Sequence, residues 1–440
     1  MSWIRFIFVC CFIFYDKVHE ITGKTGIGPG DQDWGYVNVR PGAHIFWWLH
    51  YVSPPYPNKL SNFDVYSKPL LVWLQGGPGG SGTGAGNFLE VGPVDLNLKR
   101  RNHTLVNYYN VLFIDNPVGT GFSYVENESA YVKNNKQIAD DLLECIRKFI
   151  EVVPEFRNVP TYIIGESYGP KMGVELASIW YKEQYDGSIT SNLKGLVLGS
   201  PLISPIDSAL SWAPSLLYAG ILDTADFQRV ELEVEKMEEA VKAEKWREAM
   251  DVWQTTTNSI GKLSDNATIF NILTLGSSHE GVQNYTTCFP RPPVELLKNL
   301  SEFMNENVKR TLGLHSNWVK SNKVYENLYE DLLKPVVYIV EELLNETDLK
   351  ISIYAGQLDA LISLPSTIKW VEKLKWKHSS AWKNAPRSAF AVNNIVDGYV
   401  KAYGNLKMYW VSKAGHSVAT QNPYAVNAIL QDITALKCEL

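Results

Sequence analysis

The chain has 440 residues, 45% of them hydrophobic and 20% charged, and a formal net charge of −6. This length permits a sizeable core and more than one structural unit. The only short basic run is Lys99-Arg-Arg101, which we interpret as a solvated loop, with a processing site as the lower-ranked alternative. The acidic balance without a basic stripe therefore argues against a nucleic-acid partner.

The first residues are typical of a secretory signal. One early cation, Arg5, precedes an apolar run that ends at Phe14 and is followed by Tyr15-Asp-Lys17. The run is too short for a bilayer core of about 30 Å, and no later stretch has 18 unbroken apolar residues, so we expect no membrane span. We predict a signal peptide over residues 1–20 and a secreted or lysosomal protein. Six Asn-x-Ser/Thr sequons agree with secretory passage: Asn102, Asn127, Asn266, Asn284, Asn299 and Asn345.

The sequence contains five cysteines. Cys10 and Cys11 lie in the signal segment, and Cys145 falls between apolar helix positions, as a buried free thiol would. Whether Cys288 pairs with Cys438 is left open. No spacing resembles a metal site, so we expect neither a metal nor a cofactor.

In chain order, the first predicted strand alternates from Ala43 to Tyr51, as a half-buried antiparallel strand does. Pro69–Leu74 is an unbroken apolar run suited to a strand covered on both faces. It leads into Gln75-Gly-Gly-Pro-Gly-Gly-Ser-Gly82, whose bare backbone lets a ligand approach. A phosphate loop is the alternative, which we rank lower because no Gly-Lys-Ser/Thr follows and we expect no helix to begin there.

The following segments alternate between strand and helix. We predict strands at Asn110–Asp115, Thr161–Ile164 and Gly195–Ser200, with a helix over Lys136–Val153. Such alternation implies an α/β fold with a mostly parallel sheet.

The composition changes after about Pro205. Thr224–Thr255 predicts one or two amphipathic helices and Pro293–Leu312 another. We assign residues 202–334 to a helical lid insertion, and residues 21–201 and 335–440 to the core. The core resumes with a strand at Lys350–Gly356, a helix around Leu364–Leu374 and a last strand at Leu406–Val411.

The feature that organises the chain is Gly165-Glu-Ser-Tyr-Gly169, placed between a strand and a helix. This context predicts a nucleophile elbow, in which Ser167 is exposed on strained backbone at the carboxyl edge of the sheet. Pro170 suits the first turn of the helix, and the N–H of Tyr168 can point toward an oxyanion.

Asp359 and His416 each follow a predicted strand, which gives the order Ser, Asp, His that sheet hydrolases use. A serine needs a base, and the base needs a carboxylate to hold its tautomer. The alternative carboxylate is Asp397, and the only other late histidine, His378, lies in a polar loop.

Glu166 adjoins the predicted nucleophile. If a second carboxyl such as Glu90 lies against it, the two share a proton at acidic pH. The neutral acid then hydrogen-bonds a substrate carboxylate, and binding is lost as the pair ionises. The alternative is that Glu166 tops a turn and Glu90 is exposed.

Six ordered motifs resemble the serine carboxypeptidase family of the α/β-hydrolase fold, and the first is most similar to its retinoid-inducible branch: Trp73-Leu-Gln-Gly-Gly-Pro-Gly-Gly-Ser81, Phe88-Leu-Glu-Val-Gly-Pro93, Asp115-Asn-Pro-Val-Gly-Thr-Gly-Phe-Ser-Tyr124, Gly165-Glu-Ser-Tyr-Gly169, Tyr354-Ala-Gly-Gln-Leu-Asp359 and Ala414-Gly-His416. The resemblance runs from about Gly35 to the C-terminus and is weakest through the lid.

The resemblance implies release of single residues from peptide or protein C-termini through an acyl-enzyme, usually in acidic compartments. It implies Ser167 as nucleophile, His416 as base and Asp359 as its partner, with an oxyanion hole formed by the N–H groups of Gly77 and Tyr168. Glu166 and Glu90, with Gln75 and Gly76, correspond to the family's carboxylate-recognition network.

Four positions depart from the family pattern. Gln75 stands where much of the family has Asn, and Gly80 where Cys is usual, so the associated disulfide should be missing. Pro170 replaces a small residue, and Ser417-Val-Ala419 replaces Met-Val-Pro, which removes an apolar contact near the leaving residue.

Two other functions remain open at this stage: a catalytically silent family member that acts as a lumenal binding or scaffold protein, and an acyltransferase. The sequence also leaves open whether the protein forms a homodimer.

Overall fold

The computed structural model describes residues 23–54, 63–265, 267–275, 296–320 and 322–436. The predicted signal peptide, Cys288, Cys438 and the sequons Asn266 and Asn284 lie outside these ranges. Cys145 is a buried free thiol, as predicted, and burial raises its pKa. Within the described ranges no helix is long and apolar enough to cross a bilayer.

Eleven strands form one sheet in the order β1-β2-β4-β3-β6-β7-β10-β13-β12-β11, with β5 beside β2, and β8 and β9 form a separate hairpin. The central strands β4, β3, β6, β7, β10 and β13 are parallel, and the outer pairs are antiparallel. The strands are β1 Gln32–Arg40, β2 Ala43–His50, β3 Leu70–Leu74, β4 Asn110–Asp115, β5 Tyr124–Val125, β6 Thr161–Glu166, β7 Leu193–Gly199, β8 Ala267–Thr268, β9 Asn271–Leu275, β10 Lys350–Gly356, β11 Arg387–Val392, β12 Ile395–Tyr403 and β13 Leu406–Val411.

Helices cover both faces of the sheet. They are α1 Asn135–Val152, α2 Gly169–Tyr185, α3 Pro205–Tyr218, α4 Thr224–Lys242, α5 Trp246–Leu263, α6 Leu296–Phe303, α7 Lys309–Leu312, α8 Asn322–Leu328, α9 Val337–Glu346, α10 Leu364–Glu372, α11 Ser379–Asn384, α12 Val418–Gln421 and α13 Pro423–Thr434, with π-helical turns at Gly82–Val91 and Met304–Val308. Short 3₁₀ turns lie at Val65–Ser67, Leu105–Asn107, Glu128–Ala130 and Pro154–Asn158.

Alternate residues of each central strand enter two different cores. On β3, Val72 and Leu74 pack into the core formed with α1 and α2, whereas Leu71 and Trp73 pack into the core formed with α13. The unbroken apolar run of β3 is therefore explained by burial on both faces.

Two sequence predictions are wrong. Strand β2 is antiparallel as expected, but it is buried at every position except His44, because Phe46 and Trp48 pack into a third apolar cluster that includes Met304. A helix does follow the glycine loop: Ser81 accepts a hydrogen bond from Gly84 N at 2.9 Å and caps the π-helix Gly82–Val91.

The lid assignment over residues 202–334 stays a prediction. This range contains α3–α8 and the hairpin β8–β9, and it is anchored to α2 by a buried lysine. Nζ of Lys171 donates to the carbonyls of Asp331 and Leu332 at 2.7 and 3.0 Å. This anchor lies one turn from Ser167.

Candidate active site

Ser167 lies on strained backbone between β6 and α2. Its φ of +65° is in the left-handed region, which costs a non-glycine residue on the order of 1–3 kcal/mol. The end of β7 and the residues that follow it hold this turn, because Ser167 N donates to Gly199 O at 3.0 Å and Leu202 N donates to Ser167 O at 3.0 Å. A Cβ on Gly169 would lie 2.1 Å from Leu74 O, so only glycine fits there. The local structure is that of the predicted elbow.

Asp359 and His416 meet beyond the ends of the adjacent parallel strands β10 and β13. Nδ1 of His416 lies 2.8 Å from Oδ2 of Asp359, and both side chains are buried. Oδ1 of Asp359 accepts from Ile362 N at 3.0 Å, which fixes the carboxylate. An Asp acceptor at Nδ1 makes that nitrogen the donor and leaves Nε2 of the neutral ring as an acceptor.

The two residues that the sequence offered as alternatives, Asp397 and His378, make other contacts. Oδ1 of Asp397 accepts from Asn422 Nδ2 at 3.0 Å. The ring of His378 contacts Trp376 and Tyr403, at centroid distances of 5.3 and 5.5 Å. The structure thus joins His416 to Asp359 and not to Asp397.

The elbow and the histidine loop converge on two consecutive residues at the end of β7. Gly199 accepts from Ser167 N, and the hydroxyl of Ser200 donates to the carbonyl oxygen of His416 at 2.8 Å. Ser167 itself is partly exposed, and within the described ranges its hydroxyl is not hydrogen-bonded. A catalytic hydrogen bond is often formed only when substrate binds.

The hairpin β8–β9 holds both loops, a contact that sequence patterns did not predict. Phe270 O accepts from His416 N at 2.7 Å, and Ile269 O accepts from Ala360 N and Leu361 N at 3.0 and 2.9 Å. Position 415 requires glycine, because a Cβ there would lie 2.4 Å from Phe270 O. One short hairpin is therefore hydrogen-bonded both to His416 and to the two residues that follow Asp359.

The glycine loop lies directly against the elbow. A Cβ on Gly76 would lie 2.6 Å from Ser167 Cβ and 3.1 Å from Tyr168 N. Gly77 has φ +123°, a conformation that favours glycine. In the part of the chain that the structure describes, the N–H groups of Gly77 and Tyr168 have no acceptor. Both donors are thus available beside the serine.

Buried Asp115 fixes this loop to the sheet. Its carboxylate accepts from Ser81 Oγ at 2.6 Å, from Thr83 N and Oγ1 at 3.0 and 2.8 Å, and from Phe122 N at 2.8 Å. Gly80 suits this close turn, since a Cβ there would lie 2.6 Å from Gly76 O.

Glu166 and Glu90 form a pair of carboxyl groups beside the elbow. Burial, followed by repulsion from Glu90, raises the pKa of Glu166 well above its ordinary value. Burial also raises the pKa of Glu90, against the opposing hydrogen bond that Gln75 Nε2 donates to its Oε1 at 3.0 Å. Gln75 is itself fixed by Trp73 Nε1, 2.8 Å from its Oε1.

The pair has unused hydrogen-bonding capacity. Both oxygens of Glu166 and Oε2 of Glu90 are buried without a partner of normal geometry among the described residues. The hydroxyl of Tyr354, which sequence patterns did not single out as a site residue, is also buried and unpaired there. Burial, then the charges of Glu166 and Glu90, raise the pKa of Tyr354 well above its ordinary value. Buried polar groups without a hydrogen bond of normal geometry are uncommon in folded proteins, so this cluster is a candidate functional site.

No three His, Cys, Asp or Glu side chains within the described ranges are grouped as a metal site. A serine on a strained elbow at the carboxyl edge of a mostly parallel sheet, with an Asp–His pair after later strands, defines the molecule as an α/β hydrolase.

Residues 24–435 match the family model described as serine carboxypeptidase. The chain belongs to this family and is a serine-type carboxypeptidase, a peptide-bond hydrolase. It is 38% identical over 405 residues to the retinoid-inducible serine carboxypeptidase of Rattus norvegicus, covering 88% of each chain. It is 33% identical over 435 residues to serine carboxypeptidase-like 51 of Arabidopsis thaliana, covering 92% of each.

A solved structure supports the fold. The prohormone-processing carboxypeptidase KEX1(DELTA)P of Saccharomyces cerevisiae superposes with a TM-score of 0.77 over 93% of each chain, at 19% identity. This similarity confirms the predicted α/β-hydrolase architecture.

Proposed function

We propose that the protein removes single residues from peptide C-termini through an acyl-enzyme on Ser167. His416 acts as the base and Asp359 holds its tautomer, while the N–H groups of Gly77 and Tyr168 stabilise the oxyanion. The observation that carries the proposal is the convergence at β7, where Ser167 and His416 bond to the consecutive residues Gly199 and Ser200.

In the first half of the reaction, Ser167 Oγ attacks the carbonyl carbon of the last peptide bond and gives its proton to His416 Nε2. The oxyanion is stabilised by the two free backbone donors. His416 then gives that proton to the leaving nitrogen, the C–N bond breaks, and the terminal amino acid departs.

In the second half, water attacks the ester and gives a proton to His416. The proton returns to Ser167 Oγ as the ester bond breaks, which releases the shortened peptide and restores the enzyme. Asp359 stays ionised and stabilises the imidazolium throughout.

The carboxyl pair supplies selection for a terminus. When Glu166 and Glu90 share a proton, the protonated acid can donate to the α-carboxylate of the last residue, beside Gln75 and the backbone of Gly76. This supports activity at acidic pH, in a secreted or lysosomal setting. Asn102 and Asn127 are exposed, as glycan acceptors must be.

The test compares one N-blocked dipeptide with a free and an amidated C-terminus, for wild type and Ser167→Ala. Wild type should release the C-terminal residue only from the free acid at mildly acidic pH, and a fluorophosphonate should label wild type alone. Release by Ser167→Ala, or no release together with no labelling, would refute the proposal.

A further inference from the structure

A cavity of about 240 Å³ adjoins the carboxyl pair and shares Glu90 with it, but it contains none of Ser167, Asp359 and His416 in its lining. Its lining includes Glu90, Arg101, His103, Ala419, Thr420 and Pro423. It shares Glu90, His103 and Ala419 with a smaller recess of about 50 Å³ that extends toward Leu105 and Tyr108. The cavity and the recess therefore share part of one wall.

Arg101 brings a positive charge to this wall. One of its terminal nitrogens donates to the carbonyl of Phe88, but its Nε is buried and has no hydrogen-bond partner among the described residues. A guanidinium keeps its charge at all relevant pH values and presents donors in a planar fork suited to a carboxylate. The nearby acids, Asp95 and Glu90, attract Arg101 without forming a contact ion pair in the described structure.

The cavity is placed where one part of a substrate can reach it. Glu90 belongs both to the carboxyl pair and to the cavity wall, and Ala419 follows His416 by three residues on α12. If the α-carboxylate of a substrate binds at Glu166 and Glu90, the residue that carries it lies next to a wall of this cavity. That residue is the one released.

We propose that this cavity binds the side chain of the substrate's C-terminal residue, and that Arg101 makes the enzyme prefer an acidic one. The inference rests on the proposed function and deepens it. A Glu or Asp side chain can place its carboxylate against the charged guanidinium of Arg101, and the small Ala419 and the hydroxyl-bearing Thr420 leave room for a polar group. Repulsion from Glu90 is least when the carboxyl pair holds its proton.

The test uses four N-blocked dipeptides with one acyl residue and C-terminal Leu, Gln, Glu or Lys, assayed at mildly acidic pH. Enzymatically deglycosylated protein is used, because the sequon residue Asn102 is exposed at the rim of the cavity. Wild type should hydrolyse the Glu substrate with kcat/KM about tenfold above Gln, as a charged pair in a partly desolvated site allows.

Two variants isolate the role of Arg101. Arg101→Met should lose the preference for Glu over Gln while keeping the Leu rate, and Arg101→Lys should retain part of the preference. Equal rates for Glu and Gln in wild type, or an Arg101→Met variant slowed equally on all four substrates, would overturn the inference. Hydrolysis of the Leu substrate tests the proposed function separately.

Discussion

The main-chain N–H of His416 donates to the carbonyl oxygen of Phe270 at an N···O distance of 2.7 Å. The candidate base is thus tied to a hairpin from the predicted lid, 146 positions earlier in the chain (416 minus 270). The same hairpin bonds to the loop that carries Asp359. The positions of the candidate base and of its carboxylate partner therefore depend on one element.

Asn271→Ala should reduce kcat about three- to tenfold with little change in KM, in line with the loss of one hydrogen bond. Asn271 Nδ2 donates to Gln421 Oε1 at 2.8 Å, and the same oxygen accepts from Gly415 N at 2.6 Å, next to His416. Leu273→Ala, on an exposed position of the same strand, is the control. Steady-state kinetics that show equal effects of both substitutions would contradict this role.

Asp359→Asn should lower kcat roughly 10³- to 10⁴-fold, because an amide no longer fixes the imidazole tautomer or stabilises its charge. Asp397→Asn is the matched control, since that carboxylate bonds to Asn422 and not to His416. Single-turnover rate constants of the two variants test this prediction. If the Asp397 variant proved the slower enzyme, the assignment of the carboxylate would be wrong.

Glu166→Gln should flatten the pH dependence of KM for a peptide with a free C-terminus. In wild type KM should rise as pH passes through the raised pKa of the pair, because the second ionisation removes the donor and adds repulsion. Kinetics from about pH 4.5 to about pH 8 measure this. The exposed Glu235→Gln provides the control, and an unchanged profile in the Glu166 variant would contradict the prediction.

The same substitution should raise thermal stability at neutral pH relative to wild type. A carboxyl whose pKa is raised on folding binds more protons in the folded state, so its contribution to the free energy of unfolding falls as pH rises above the ordinary value. Glutamine does not titrate, so the variant does not lose this part of the free energy of unfolding as pH rises. The difference in melting temperature between Glu166→Gln and wild type should therefore grow between about pH 5 and about pH 8, and a difference independent of pH would argue against a titrating Glu166.

Lys171→Met should reduce the free energy of unfolding by about 3 kcal/mol, because it removes a buried cation and leaves the carbonyl groups of Asp331 and Leu332 without its hydrogen bonds. Lys334→Met is the control, since Lys334 also approaches Asp331, at 3.3 Å, but is exposed. That control should cost less than about 1 kcal/mol. Urea titration of both variants distinguishes them, and similar losses would contradict a special role for Lys171.

The sequence predicted the features whose cause is local. The strand predicted at Asn110–Asp115 agrees with β4 at both ends, because a strand buried on both faces has an unbroken apolar run. The strand predicted at Leu406–Val411 also agrees with β13, although Lys407 interrupts its apolar run. Ser167, Asp359 and His416 could be assigned because each follows such a strand, where parallel strands place their carboxyl ends at one edge.

Features held by distant contacts could not be predicted in this way. The hairpin β8–β9 is bonded through its main chain to the loops that carry Asp359 and His416, and main-chain contacts leave no pattern of residue types. The helix Gly82–Val91, which carries Glu90, contains three glycines with low helix propensity and forms because they pack closely against Ile114, Trp73 and Trp318. Its capping serine, Ser81, was the available local signal.

The carboxyl pair has a consequence for how digestion would proceed. A site that recognises the end group of a chain does not measure the chain's length, and each cleavage exposes a new end of the same kind. Trimming would therefore continue residue by residue until it reached a side chain that the pocket excludes. A time course on a long peptide would then show a ladder of products, with pauses that report the preferences of the enzyme.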